Sequence, residues 1–438
     1  MPGTFDNIHP NLTKESALRI LVSPEEDLEF SSDYYMAVSH LLNFPGAKTE
    51  DALLEIAKNE SRSQAIRLAR RKSLEVLARL GSTRALPVVV QCLNHDDPYL
   101  VENAVWALLQ LGCQDSNAHQ RLIELLEENK ANQRVIIQCL AGLDVQGAVE
   151  AIQKCLKSPD VSIRTSAGSA LCRLTNDRSY VFDLEQSLFS KSQMDRQMVI
   201  EDLADCKGIE LLGHVLKSPV SPVFRLRFVQ AVCLTDPSAS VKGINLVDLL
   251  DQILIDSPES LTLNQAFSEN TTVNECFEGL FSNDFARCYH CLAKLSSKGG
   301  DELWPHFIEQ WYDRAFNDYG AHYFFLRLIG FVSDWPIDYI QKLQELLIEA
   351  VNNLRPQFSK SRPIALLSLY ALSPEKISSD WLVQILASPN SGWQLQYAAL
   401  MIAQQSCLQS QVVLHADHGI AEKLASSHPF VKLKSGMF

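Results

Sequence analysis

Four fragments, LARLG, LLQLG, LAGLD and LCRLT, close successive stretches in the first half of the chain, and their last leucines are Leu80, Leu111, Leu143 and Leu174. The steps between them are 31, 32 and 31 residues. A constant step of that size marks a stacked unit that cannot bury its apolar face alone and must pack on its neighbours. Each unit reads as a helix after the stop (86–93, 119–127, 148–156) and then a turn rich in Asn, Asp, Pro and Ser (NHDDP, ENKANQ, KSPD). The leucine-ending helix follows. Alternating Val/Ile/Thr patterns are scarce, so the chain is expected to be all-α.

Two helices at this period resemble HEAT-type repeats, which predicts a HEAT-repeat-like α-solenoid, a right-handed superhelix of helix pairs whose second helices line the concave side. The expected organisation is an N-terminal capping segment at 1–30, a repeat array at 31–238, an irregular junction at 239–283, and a divergent helical continuation at 284–438. The junction is placed where the repeat loses register in SPES and a Ser/Thr/Asn-rich stretch. At 46% hydrophobic and 21% charged, 438 residues can fill such an array with a packed core.

With 39 basic against 52 acidic residues the net charge is -13, which argues against a general nucleic-acid or anionic-membrane binder. Apolar runs such as ALPVVV at 85–90 fall far short of the roughly 18 residues of a membrane span. The start, MPGTFDNIHPNLTKES, lacks a basic stretch followed by an apolar block, so a cytoplasmic protein is expected. The eleven cysteines sit mostly singly on apolar helical faces (Cys92, Cys139, Cys172, Cys233), as reduced core thiols do. CYHC at Cys288 and Cys291 has one CxxC pair with only Cys276 and His290 nearby. On a helix that spacing puts both thiols on one packing face, and no metal site is expected. No phosphate loop, GxSxG elbow or HExxH is present.

One helix departs from the bland pattern. LVENAVWALLQLG at 100–112 has an apolar seam of Val101, Ala104, Val105, Leu108 and Leu111, while Tyr99, Glu102, Asn103, Trp106 and Gln110 fall on another face. Aligned by the leucines, Trp106 shares a column with Glu75, Gln138 and Ser169; Asn103 with Lys72, Val135 and Ser166; Glu102 with Arg71, Arg134 and Thr165. The mostly polar Trp106 column is expected to face the concave wall, with Arg71, Lys72, Glu75, Glu102 and Arg134 brought together from three helices about 10 Å apart. Such a wall suits a flat conjugated ligand with anionic arms. It equally suits an indole filling a gap between repeats beneath a solvated ridge of charge.

Three blocks, SSDYYMAVSHLLNFP (31–45), RLARRKSLEVLARLGSTRALPVVVQCL (67–93) and DDPYLVENAVWALLQLG (96–112), closely resemble the E/F-type phycobilin lyases of cyanobacteria. Within these, the resemblance is greatest to the long single-chain lyases and lyase-isomerases that load phycoerythrobilin onto phycoerythrin subunits. It is strong over 21–174 and rests downstream on chain length and helical character. The resemblance implies an enzyme that carries no permanent cofactor. It would take phycoerythrobilin as substrate, handed over by a bilin reductase, and deliver it to a cysteine of an apo-phycoerythrin subunit as a thioether.

On this reading Arg71, Lys72 or Arg134 meets the propionates, Glu75 or Glu102 the pyrrole nitrogens, and Trp106 and Tyr99 the conjugated face, with Asn103 beside them. Glu102 is a candidate for proton transfer. Some lyases of this group also convert phycoerythrobilin to phycourobilin, which needs an acid/base pair. HFIEQWYDRAFNDYGAHYFF offers His306, Trp311, Tyr312, Asp313, Asp318, Tyr319, His322 and Tyr323. Asp318, Tyr319 and His322 are the catalytic candidates there, with Trp311, Tyr312 and Asp313 as bilin contacts, against the alternative of an amphipathic helix pair capped by Asp318. The competing functional reading is a non-enzymatic HEAT-repeat scaffold or chaperone that binds phycobiliprotein subunits without pigment.

Overall fold

A computed structural model describes residues 11–128, 130–234, 245–263, 271–406 and 428–436. Among these residues all regular structure is helical, no helix is long and apolar enough to cross a membrane, and the chain forms two compact units, Met1–Asp183 and Leu184–Phe438. The expected boundary at 238/239 lies outside the described residues.

The first unit contains α1 (Lys14–Val22), α2 (Asp33–Leu41), α3 (Ala47–Lys58), α4 (Gln64–Arg79), α5 (Leu86–Cys92), α6 (Pro98–Leu111), α7 (Ser116–Glu128), α8 (Gln133–Gly142), α9 (Val149–Cys155), α10 (Val161–Thr175) and the single turn α11 (Ser179–Phe182). Helices α2, α4, α6, α8 and α10 pack in sequence as one layer, and α3, α5, α7 and α9 pair with them as helical hairpins. Between the layers lies a continuous apolar core, in which Leu74, Val105, Leu108, Ile137 and Leu140 are fully buried.

The 31-residue step has a physical origin at both ends of the long helices. Gly81, Gly112, Asp144, Asn176 and Lys207 all adopt left-handed backbone conformations, at φ of 70°, 62°, 56°, 58° and 53°. In four of them the amide two residues past the last turn reaches back five residues: Ser82 to Leu77, Cys113 to Leu108, Val145 to Leu140 and Gly208 to Leu203, at 2.8–3.1 Å. This is the glycine-favouring stop that satisfies terminal carbonyls. At the other end Ser63, Asp97, Asn132, Asp160 and Ser192 accept amide hydrogens of the following first turn. The polar turns NHDDP, ENKANQ and KSPD therefore supply caps.

The second unit contains α12 (Gln193–Asp205), α13 (Leu212–Lys217), α14 (Pro222–Cys233), α15 (Leu246–Ile255), α16 (Val273–Gly279), α17 (Phe285–Ser296) and α18 (Gly300–Gln310), which runs into a π-helical turn, Trp311–Ala315. It continues with α19 (Ala321–Phe331), α20 (Ile337–Asn352), α21 (Ser361–Leu372), α22 (Ser379–Ala387), α23 (Trp393–Gln405) and α24 (Pro429–Ser435). Helices α17, α19, α21 and α23 pack in order, with α16, α20 and α22 against them.

Within the expected irregular junction at 239–283, the described residues 245–263 include a regular helix, α15. This helix packs on α14, α21 and α23. Asp251 on it accepts from the Tyr397 hydroxyl at 2.9 Å and the Lys434 ammonium at 2.7 Å, which binds α15 to α23 and α24. The repeat signal was lost there because the residues that hold α15 come from distant parts of the chain.

Candidate functional site

The predicted wall of the first unit is built across α2, α4, α6 and α8. Asp97 caps α6 through the Tyr99 amide and is gripped by one edge of the Arg71 guanidinium, at 3.0 Å from Nε and 2.7–2.8 Å from Nη2. Burial pushes the Asp97 carboxyl up, but Arg71 and the amides of Leu100 and Tyr99 hold it below the usual carboxylate range. Arg67 Nη2 also lies 3.4 Å from the same carboxylate, so two guanidiniums share one anion and leave a net positive charge. Above them the Tyr99 ring, 62% exposed, lies 4.8 Å from the Arg71 guanidinium carbon.

Lys72 donates to both Glu75 oxygens at 2.8 Å and lies 5.7 Å from the Tyr35 ring of α2. Asn103 turns back onto the Tyr99 carbonyl at 2.7 Å. Glu102 is half-buried and accepts from Asn132 Nδ2, the cap of α8, at 3.4 Å. Tyr35, Lys72, Glu75, Arg71, Tyr99, Glu102 and Asn132 are thus linked from helix to helix.

Two placements differ from the sequence reading. Trp106 is half-buried and packs partly against the apolar core instead of standing fully on the open wall. Arg134 is buried, because its guanidinium donates to the Ser162 carbonyl at 2.9 Å and ties α8 to the first turn of α10. The three corresponding columns on α10, at Thr165, Ser166 and Ser169, are buried too. The open wall therefore ends at α8.

In the second unit the aromatic cluster divides. Trp311 is buried in the π-helical turn, its ring stacked on Phe307 at 6.1 Å and beside His322 at 5.2 Å. His306 lies against Phe277 at 6.2 Å. Tyr312 and Asp313 face solvent, with Lys342 Nζ 5.5 Å from the Tyr312 ring. Asp318 accepts the amides of Gly320 and Ala321 at 2.8 and 2.7 Å and so caps α19 instead of projecting free. Tyr319 is 63% exposed, its ring 4.6 Å from Lys360 Nζ.

His322 is sealed between Trp311 and Phe358, whose ring is 4.5 Å away, and its Nδ1 has no hydrogen-bond partner. Burial, reinforced by the positive Arg355 and Lys360, pushes its pKa down from 6.5 to about 4. The folded unit therefore refuses a proton that the unfolded chain accepts once pH falls below 6.5. Stability is full above that pH and falls by about 1.4 kcal/mol per unit on the way down to about pH 4. Chemical denaturation should show about 2 kcal/mol lost between pH 7 and pH 5 beyond the loss in His322→Leu. Equal losses in the two proteins would show that the imidazole is not held neutral.

Two features were missed in the sequence. Asp256, fully buried and left-handed at φ 52°, ends α15 and accepts from Arg225, from the Tyr289 hydroxyl at 2.9 Å and from the Tyr323 hydroxyl at 2.5 Å. Four elements converge on one carboxylate. Beside it a small cleft is lined by Pro222, Leu226, Ile253, Phe285, Tyr323, Lys360 and Ile364 among others. The only sequence signal for the network was a lone Asp closing an apolar helix, and Lys360 was concealed in the polar turn QFSKSRP.

Cys288 of the CYHC motif is a buried, packed thiol. Cys288 donates to the Ser282 carbonyl at 3.3 Å, and burial pushes its thiol up to about 12, so it does not offer a thiolate at neutral pH.

Comparison with known proteins agrees with the repeat architecture and gives the family. The HEAT-repeat family model matches residues 50–131. The chain is 38% identical over 378 residues to the bilin biosynthesis protein CpeY of Synechococcus sp. (strain WH8020), covering 86% of this chain and 89% of that protein. It is 32% identical over 398 residues to the uncharacterized phycocyanin operon protein Y of Pseudanabaena tenuis (strain PCC 7409), covering 89% and 91%. It is also 22% identical over 265 residues to the phycocyanobilin lyase subunit alpha of a Nostoc species, covering 56% of this chain and 95% of that protein. Identity at this level across most of both chains, together with the helical repeat described above, establishes that this chain belongs to the E/F-type phycobilin lyase family.

Proposed function

We propose that the chain is a phycobilin lyase that joins phycoerythrobilin to a cysteine of an apo-phycoerythrin subunit. The observation that carries this reading is the 38% identity to a bilin biosynthesis protein across 86% of the chain. The wall of the first unit supports it with a cationic, aromatic and carboxylate surface. In the reaction the acceptor's thiolate adds to the ethylidene carbon of ring A. A C–S bond forms, the double-bond electrons move to the neighbouring carbon, and that carbon takes up a proton. Nothing leaves. The lyase therefore has to hold the pigment, exclude water from it and manage one proton.

In this proposal the Tyr99 ring and the exposed part of Trp106 contact the conjugated plane, with Asn103 beside them. The surplus positive charge of Arg67 and Arg71 around Asp97 attracts a propionate, and Glu102 serves the ring nitrogens and the proton. The bilin comes from a reductase as substrate and leaves with the acceptor, so no cofactor is retained. Conversion to phycourobilin belongs to the same proposal only through the Asp318, Tyr319 and His322 region. An attached product absorbing near phycoerythrobilin would mean attachment alone, while a shift to shorter wavelength would mean isomerisation.

Trp106→Ala tests the wall. Loss of one ring contact is expected to weaken phycoerythrobilin binding about 3- to 10-fold in an absorbance titration, while binding of the apo-subunit without pigment is retained. Unchanged bilin affinity would remove Trp106 from the site, and a chain that binds the apo-subunit but neither binds nor transfers bilin would favour a pigment-free scaffold.

A further inference from the structure

Helices α2, α4, α6 and α8 carry six arginines and lysines, and five of them are committed to the fold. Arg71 holds Asp97 through Nε and Nη2, Lys72 holds both Glu75 oxygens, and Arg79, two turns beyond Arg71, pairs with the same glutamate at 3.7 Å. Arg134 is buried on the Ser162 carbonyl, and Arg70 is buried with its Nε on the Ala57 carbonyl at 2.8 Å. Moving any of these five onto a ligand would take a donor away from a group that already uses it.

Arg67 is different. One turn before Arg71 on α4, it reaches Asp97 with a single nitrogen at 3.4 Å, and that carboxylate already has a bidentate partner in Arg71. The Arg67 side chain is 44% exposed, against 18% for Arg71. A contact of that length and exposure contributes little to the fold, so Arg67 can leave Asp97 while Arg71 keeps the α6 cap in place. Its other N–H groups make no hydrogen bond among the described residues. A planar guanidinium in that state offers the fork that matches a carboxylate.

The surroundings say what would carry the carboxylate. Asp97 caps the start of α6, and two residues on stands the exposed Tyr99 ring, 4.8 Å from the Arg71 guanidinium carbon. At the rise of a helix Glu102 follows about 5 Å further along the axis and Trp106 about 10 Å. An anion on Arg67 therefore sits at one edge of the wall, next to an aromatic platform and one turn from the carboxylate assigned to the proton. Asp96 is exposed and forms no ion pair among the described residues, so water screens its repulsion of such an anion.

We infer that Arg67 is the residue that selects a carboxylate-bearing pigment: on binding, its guanidinium exchanges Asp97 for one propionate of the bilin, while Arg71 and Asp97 stay paired as the frame under Tyr99. The inference rests on the bilin-lyase reading and deepens it. It gives the preference for a free acid to one side chain, and it gives the pigment a direction on the wall, with the propionate toward the start of α6 and the ring nitrogens toward Glu102. Every group involved lies on α4 and at the start of α6, within the first unit.

The test uses the full chain and absorbance titrations with phycoerythrobilin and with its dimethyl ester. Arg67→Met keeps the apolar stem and removes the charge. It should weaken binding of the free acid about 10- to 100-fold, the loss expected for one charged hydrogen-bonded contact, with the melting temperature within about 2 °C of wild type. Wild type should prefer the acid over the diester by at least that factor, and Arg67→Met should discriminate between them at least about tenfold less. Arg67→Lys keeps the charge without the fork and should fall between the two proteins. Arg71→Met is the structural control. It strips Asp97 of its bidentate partner, so the melting temperature should fall and acid and diester should weaken by the same factor.

Wild-type affinity for the acid in folded Arg67→Met, or an equal loss for acid and diester, overturns the assignment. An acid preference that survives in Arg67→Met and disappears in folded Arg71→Met also overturns it and gives the propionate to Arg71. A wild-type chain that binds no bilin overturns the lyase reading as well. One that binds and transfers bilin while Arg67→Met is indistinguishable from it overturns only this inference.

Discussion

Asp256→Ala is expected to destabilise the Leu184–Phe438 unit by about 3–5 kcal/mol, the largest structural effect of any single substitution considered. The carboxylate is fully buried and is the anionic partner of Arg225, whose side chain is 1% exposed. Removing it leaves a guanidinium inside the unit without its counter-charge, the Tyr323 phenol without its acceptor and the Tyr289 phenol with only the Val220 carbonyl at 3.3 Å. Asp256→Asn keeps an acceptor and tolerates the left-handed backbone, so its cost should be intermediate. Five of the six tryptophans, Trp304, Trp311, Trp335, Trp381 and Trp393, lie in this unit. Fluorescence-monitored urea unfolding therefore reports on it, and the melting temperature should fall by about 10 °C. A loss below about 1 kcal/mol would show that the four groups do not form one buried ionic network.

Glu102→Gln is expected to lower the rate of pigment transfer about 10²- to 10⁴-fold, the range for removal of a group that moves a proton in the rate-limiting step. The glutamine keeps the shape and the contact with Asn132, which reaches Glu102 at 3.4 Å, but it cannot exchange a proton. Bilin affinity should change far less than the rate. Single-turnover transfer to an apo-phycoerythrin subunit separates the two quantities. A normal rate would take the proton step away from Glu102. Equal losses in affinity and rate would make it a binding group alone.

The repeat was legible in the sequence because its determinants are local. Gly81, Gly112 and Asp144 each stop a helix in the left-handed conformation, and Asp97, Asn132 and Asp160 each start one, so a fixed step in the residues is a fixed step in space. The same register put Lys72, Glu75 and Glu102 on one face. It could not show that Arg134 turns inward, because that depends on the Ser162 carbonyl one repeat later, which is a backbone group and leaves no mark on side-chain pattern. Trp106 is half-buried for a related reason: a polar column fixes direction along the helix surface, while depth depends on the neighbouring helices.

The second unit was less legible because its organising contacts are long-range. Asp256 meets Arg225, Tyr289 and Tyr323 across 31, 33 and 67 residues, and Asp251 meets Lys434 across 183. No periodicity connects such residues. The segment that carries Asp251 and Asp256 looked irregular for the same reason. Asp318 was read with its cap role as an open alternative, and its two amide contacts match that role. Lys360 had no signal of its own, since a lysine in a polar turn looks like any solvated lysine until the Tyr319 ring is placed beside it.

The most direct measurement of the central claim is co-production of the chain with phycoerythrobilin-forming enzymes and an apo-phycoerythrin subunit, followed by absorbance and peptide mass of the denatured subunit. The account predicts a bilin bound through a cysteine thioether, and its loss when the chain is omitted. A subunit that stays colourless with the chain and pigment both present, or that colours equally without the chain, would contradict it.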